Sequence, residues 1–310
     1  MEPSRITPIS SPSEERPEWL FTQSIRTGSL LYVGIKDYFH ISTWLCIGSI
    51  FQAAATLAFG PRALIPSITL LVLRTLDLVF QSLGVSKNRC MDGAIRKKWS
   101  AQIPHADGTF GPKAADEGLV IFFVGGQVNH PLGPLAPGSA DTQKLFEGIV
   151  KELDNYYDKN GLLGYTEWQG TTEHSGNMKM AIMYWKDVES LHRFAHGPAH
   201  MAGLRWWTDT GAKKYPHQSV FHETFIIPPG GNYENVYLNC KPFGMGAITV
   251  PITKNADGTD REPDGFSWQR PIVDAKKGQL RTFARRVGRQ DLTAHEKDDD
   301  DIWDRTVVEP

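Results

Sequence analysis

The 310-residue chain sets 33 Lys and Arg against 35 Asp and Glu, a net charge of -2. That balance, with no basic patch in the central region, lacks the electrostatic footprint of a nucleic-acid-binding protein. The three cysteines, Cys46, Cys90 and Cys240, are too far apart for a disulfide framework or a zinc pattern and point to a reducing compartment.

Residues 1–40 open the chain without a core pattern. Met1–Arg16 is rich in Pro and Ser and has no apolar run behind a basic start, so it reads as a disordered lead rather than a signal peptide. Pro17–His40 adds Trp19, Phe21, Leu30, Leu31 and Tyr32 and reads as partly buried or interfacial.

Residues 41–84 differ in character. Ile41–Gly60 has no charged residue, and Ala63–Leu83 has only Arg74 and Asp77. Each run is about the 20 residues a helix needs to cross a bilayer, and Gly60–Pro61–Arg62 between them is a turn signal. The expectation is a hydrophobic helical hairpin in which Arg74 and Asp77, three apart, partly neutralise each other. Lys87, Arg89, Arg96, Lys97 and Lys98 follow it, and Arg26 and Lys36 precede it. Positive charge at both ends predicts membrane association with the domain that follows on the cytoplasmic side. The alternative is a buried or monotopic hairpin packed on that domain, because an ion pair at mid-bilayer is costly.

Residues 85–115 read as a basic, polar linker holding Trp99 and Pro104. Residues 116–250 carry the compact domain. Gly118–Val124 is apolar on both faces, as a central strand should be. After a Pro/Gly loop, Asp141 can cap a helix running through Tyr157, with Leu145, Ile149, Leu153 and Tyr156 on one stripe; Lys159–Asn160–Gly161 ends it. Leu162–Gln169 is a strand, Thr171–Gly176 a turn, and Met178–Trp185 a second strand apolar on both faces. Asp187 then caps a helix that places Val188, Leu191, Phe194 and Ala195 on one face, and Ser219–Ile227 is the fourth strand. The order β-α-β-β-α-β predicts an α+β, ferredoxin-like sheet in which the first and third strands are central. A short strand falls near Asn235–Asn239. Residues 251–310 read as a polar, largely solvated tail, with Phe266, Trp268 and Ile272 docking at one place.

His192, His196 and His200 are spaced by four, which on one continuous helix would make a row of metal ligands. Gly197–Pro198 interrupts that helix, and no paired carboxylate stands nearby, so no metal is expected. His196 or His200 can still line a pocket. On the fourth strand, alternation sends His222 and Glu223 to opposite faces, Glu223 between Phe221 and Phe225. Glu223 is either held by a buried donor such as Tyr233, Asn239 or a Trp, or is a general base with a raised proton affinity. Asn129, where the first strand leaves the sheet, can orient a substrate carbonyl or cap a turn. Tyr233, Glu234 and Asn239 form a further polar set. Trp185, Trp206 and Trp207 suit either a core or the wall of an apolar site. Gly125–Gly126 lacks the spacing and following helix of a phosphate loop.

The run YWKDVESLHRFAHGPAH resembles the third strand and second helix of the antibiotic-biosynthesis monooxygenases of the dimeric α+β barrel group. VGGQVNHP, GLLGY (Gly161–Tyr165), FHETF, YENVYLN and KPFG, in that order, resemble a fungal and bacterial monooxygenase-like subfamily with a member in the fumagillin pathway. The likeness covers Asp116–Val250, with the hydrophobic N-terminal part as an extension. It implies a homodimeric ferredoxin-like barrel that oxygenates a natural product with O2, in some members without metal or flavin. Haem is the alternative cofactor. In the haem-degrading branch, however, the ligand would fall near Leu204, which cannot ligate.

The resulting expectation is a membrane-associated monooxygenase of secondary metabolism acting on a large apolar polyketide or terpenoid. His222, Glu223 and His200 are the candidate catalytic residues, and Asn129, Trp185, Tyr233 and Asn239 the substrate-binding ones. The rival readings are a haem enzyme on the same barrel and a non-catalytic carrier or cyclase.

Overall fold

The computed structural model describes residues 6–16, 38–155, 161–170, 178–262 and 265–288. The aromatic stretch 17–37, the end of the first domain helix, the turn at 171–177 and the chain after 288 lie outside the described residues.

The chain is helical almost throughout from Ile41 to Ser82 and apolar enough to cross a membrane, with none of its most apolar stretch buried. Helix α1, Ile41–Phe59, ends at Gly60, whose φ of 72° no β-carbon-bearing residue adopts easily. A 3-10 turn, Gly60–Leu64, leads into α2, Ile65–Ser82. The two helices meet at Gln52, whose amide donates to the Ala63 carbonyl and accepts from the Ser67 hydroxyl. Asp77 does not pair with Arg74 as expected. Its carboxylate takes Arg89, beyond the end of α2, and Gln81. Arg89 can fold back across the helix terminus, which brings the charge pair to the end of the hairpin.

Strand β1, Ile95–Ala101, follows. The expected linker is therefore structured: Trp99 is fully buried, and the Lys98 ammonium donates to the Arg281 carbonyl at 2.9 Å. A single tryptophan within a basic run hid the strand, because long lysine stems can cover apolar surface while their heads find polar partners.

The central sheet comprises β2 (Leu119–Val128), β3 (Leu162–Gln169), β4 (Lys179–Trp185) and β5 (Gln218–Ile227), in the order β3-β4-β2-β5 and antiparallel throughout. This is the ferredoxin-like arrangement, with the two apolar strands in the middle: Val120 faces Trp185, and Phe122 faces Met183. Helix α3, Ser139–Asn155, begins two residues before the expected cap, so Asp141 lies in its first turn. Helix α4, Val188–Ala195, is capped by the Asp187 carboxylate through the Ser190 N–H at 2.7 Å. Helix α5, Pro198–Trp206, follows after Gly197.

Alternation divides the sheet. Val120, Tyr165, Ala181, Met183 and Trp185 pack on the helix side with Leu153, Leu191 and Phe194. Leu119, Leu163 and Tyr184 pack on the other side against Trp99, Tyr237 and Met245. That second layer is a sheet of β1 flanked by β6 (Tyr237–Cys240) and β9 (Ile272–Asp274). Between β6 and β9 in the chain, β7 (Val250–Ile252) pairs with β8 (Ser267–Gln269).

These strands correct the solvated-tail expectation for 251–288: Ile252, Trp268, Ile272, Val273 and Leu280 are all buried. The lead is corrected too. Ile6–Arg16 runs along the second layer, with Ile9 N–H donating to the Ile272 carbonyl and Ser13 exchanging two backbone bonds with Trp268. These apolar residues come in groups of two or three between charges, too short to show a period, and they gain burial from partners far along the chain, as Val273 does from Phe110 and Ile272 from Trp99.

Candidate active site on the helix face

The helix side of the sheet concentrates polar atoms in apolar surroundings. Trp185 is fully buried, and its indole Nε1 has no hydrogen-bond partner. Its ring lies 5.2 Å from that of Phe194, which lies 5.6 Å from the imidazole of His200. His200 Nδ1 is enclosed and also lacks a partner of hydrogen-bonding geometry. Burial pulls the His200 pKa below the ordinary histidine range, and the neighbouring His196 and His222 add to this. The Ala195 carbonyl and Glu152 oppose it. The neutral imidazole is therefore the favoured form near pH 7, as a proton acceptor requires.

His222 reaches the same face from β5. Its ring sits 5.5 Å from that of Phe122, and its backbone faces Val124. It is exposed, as are Val220 and Thr224 beside it, so the site opens along β5.

The break at Gly197–Pro198 places His200. Helix α4 ends at Ala195, and the His196 ring folds back on the His192 carbonyl, 2.9 Å away, with its centroid 4.2 Å from that of the His192 ring and tilted to it. These two therefore separate from His200. Gly197 supplies no side-chain cap to α5, and Glu152 of α3 does so instead, accepting the Ala199 N–H at 2.8 Å. Glu152 was not expected from the sequence. The one signal for it was a helix start with Pro at its first position and no capping residue before it. Among the described residues no group of three His, Cys, Asp or Glu could hold a metal ion. Leu204, at the position suggested for a haem ligand, is 46% exposed on α5 and has no ligating atom, so the residues do not fit a haem held from there.

The other predicted residues lie elsewhere. Glu223 is exposed on the opposite face, across from Phe123. Asn129 is exposed at the end of β2, five residues beyond Val124, about 17 Å along the strand from the His222 level. Its N–H donates to the His217 carbonyl. Tyr233 is buried in the second layer, where its hydroxyl accepts the Ile103 N–H and burial pushes its pKa up to about 12. Asn239 is exposed, with a φ of 52° at an irregularity in the β1–β6 pairing. Glu234 pairs with the buried Arg286 at 2.6 Å. Gly125 and Gly126 lie within β2, where a β-carbon would strike the Lys179 and Ser219 carbonyls of the flanking strands. They serve close strand approach.

The sequence profile of the monooxygenase af470-like family matches residues 119–245, the span that holds the central sheet and helices α3, α4 and α5. Monooxygenase af470 of Aspergillus fumigatus is 34% identical over 287 residues, covering 92% of this chain and 98% of its own length. Among solved structures, SnoaB, a cofactor-independent oxygenase from Streptomyces nogalater, is 16% identical, with a TM-score of 0.23 over 35% of this chain and 91% of its own. A ferredoxin-like dabb protein from Mesorhizobium loti is 12% identical, with a TM-score of 0.24 over 35% of this chain and 96% of its own. The match to the Aspergillus enzyme runs through the hairpin and the second layer as well as the sheet, and the chain therefore belongs to the af470-like monooxygenase family, a family of oxidoreductases.

Proposed function

We propose that this monooxygenase acts without a metal or organic cofactor on a large apolar polyketide or terpenoid of secondary metabolism, bound on the helix face of the sheet. The observation that carries the reading is a buried, unpartnered indole nitrogen, Trp185 Nε1, and an enclosed imidazole, His200, flanking Phe194 on one apolar wall. Buried polar atoms are normally paired, and those left open in a site are suited to a ligand's polar atoms.

A substrate CH2 made acidic by a neighbouring carbonyl or phenol loses a proton to neutral His200, with His222 as the outer acceptor. The carbanion passes one electron to O2, the radical and superoxide join as a peroxide, and the proton returns. Loss of water then leaves a carbonyl. One oxygen atom enters the product and one leaves as water, and the four electrons come from the two C–H bonds. Trp185 Nε1 donates to the oxygen on which negative charge develops.

The uncovered half of the other face, Phe221, Glu223 and Phe225 with Phe123 beneath, is assigned to a second copy of the chain, making a homodimer. The exposed helices α1 and α2 are assigned to a membrane, with the enzyme on its cytoplasmic side.

The test is turnover of acidic-methylene polyketides and terpenoids under 18O2. One labelled oxygen per product and one O2 consumed are expected, from protein with no Soret band. Product formed equally well without O2 would leave a cyclase, and a Soret band would leave the haem enzyme.

A further inference from the structure

The end of the sheet that carries Asn129 is tied to the foot of the hairpin. Tyr38, three residues before α1, donates its hydroxyl to the His130 carbonyl, and its ring covers Gly133, at a φ of 49°, so closely that a β-carbon there would clash. Phe39 packs edge-on against both Tyr38 and Trp44, at 5.6 and 6.0 Å. The hairpin is thus braced against the loop that connects β2 to α3.

That loop has an unusual surface. From His130 to Ala140 it reads HPLGPLAPGSA, without a charged residue. Leu132 and Leu135 point outward at 50% and 54% exposure, beside exposed Pro131 and Pro137. Tyr215 lies over Gly138 from the far side, with Lys214 Nζ 5.2 Å above its ring, so Lys213 and Lys214 stand at the rim. Outward leucines between prolines contribute nothing to this chain's core, and lysines around an apolar tip match an anionic headgroup layer.

We propose that the 130–140 loop rests on the bilayer surface, with Leu132 and Leu135 at the acyl boundary and Lys213 and Lys214 among anionic headgroups. This rests on the membrane assignment of α1 and α2 and adds an orientation to it. The Asn129 end of the sheet then faces the lipid, which sets the open β5 side of the site about 17 Å along the strand from the bilayer surface.

Photolabelling of the full-length chain in vesicles of phosphatidylcholine and phosphatidylserine carrying a diazirine phosphatidylcholine tests this, with labelled peptides mapped by mass spectrometry. Label is expected on 41–83 and on 130–138. L132D/L135D should keep the first and lose the second. K213E/K214E should weaken the loop label in phosphatidylserine vesicles by about fivefold per lysine and leave it unchanged in pure phosphatidylcholine. Label on 41–83 without label on 130–138 overturns the orientation and leaves the membrane assignment standing. Absence of label from both overturns the two together. A loop without label that is protected from hydrogen exchange in lipid-free protein would assign it to a second copy instead.

Discussion

Glu152 of α3 accepts the backbone N–H of Ala199 at 2.8 Å, so one helix of the domain caps the next from the side. The bond orders the first turn of α5, which carries His200. Replacing Glu152 with Ala should cost about 1 kcal/mol of stability, as loss of a helix cap does. It should lower kcat more than the stability change alone explains, because His200 loses its fixed place. Denaturant titration and steady-state kinetics on the same preparation check this, and unchanged kcat would show that the cap does not position His200.

The His200 imidazole, held below its usual pKa by burial, sets a pH dependence for both activity and folding. Activity should rise through a pKa below the ordinary histidine value of about 6.5 and stay level above it. His200→Ala should remove that limb and lower kcat/KM by about 100-fold or more. For stability the sign follows from proton counting. Between the two pKa values the unfolded chain binds more protons, so stability is complete above about pH 6.5 and is lost as the pH falls toward the folded value. Comparing unfolding of the wild type and His200→Ala from pH 5 to 8 tests the slope.

Trp185→Phe removes an N–H that bonds to nothing in the protein. Its folding cost should be that of lost volume, about 1–3 kcal/mol, with no added penalty for a broken hydrogen bond. A fall in kcat/KM of about tenfold, one hydrogen bond's worth, is expected from loss of the donor. Unaltered kinetics in a folded variant would remove Trp185 from the site.

Two glycines give opposite outcomes. At Gly246 a β-carbon would sit 2.5 Å from the buried Trp99 ring, so Gly246→Ala should destabilise by about 1–3 kcal/mol. At Gly148, inside α3, nothing lies within 4 Å, and Gly148→Ala should stabilise by up to about 1 kcal/mol. Urea midpoints at a common slope decide both.

Phe225, 48% exposed on the uncovered sheet face, should tolerate Asp with a change of roughly 0.5 kcal/mol or less in the isolated fold. If the second copy packs there, Phe225→Asp should convert dimer to monomer in sedimentation velocity. A monomeric wild type, or a dimer indifferent to the substitution, would end that assignment.

The four-strand sheet was legible in the sequence because its two inner strands are apolar on both sides for five or more residues. The break before His200 was legible as well, since Gly–Pro leaves few backbone choices. The second layer was not. Its strands are three to seven residues long. They mix Lys98, Ser100 and Gln269 with apolar residues, all buried, and local periodicity cannot reveal burial that partners far along the chain provide. Of the candidate site residues, alternation along the strands separated some correctly by face. His200, His222 and Trp185 reach one face, whereas Tyr233 and Asn239 resemble site residues only in chemical type and in lying near glycines. Tyr233 serves packing, and Asn239 occupies a strand irregularity.

The bonds between Ile6–Arg16 and strands β8 and β9 bear on how the molecule is made. This stretch is synthesised more than 250 residues before its partners, Trp268 and Ile272. Closing so long a loop is slow, so Ile6–Arg16 has to wait, kept apart from other chains, until strands β8 and β9 have followed it.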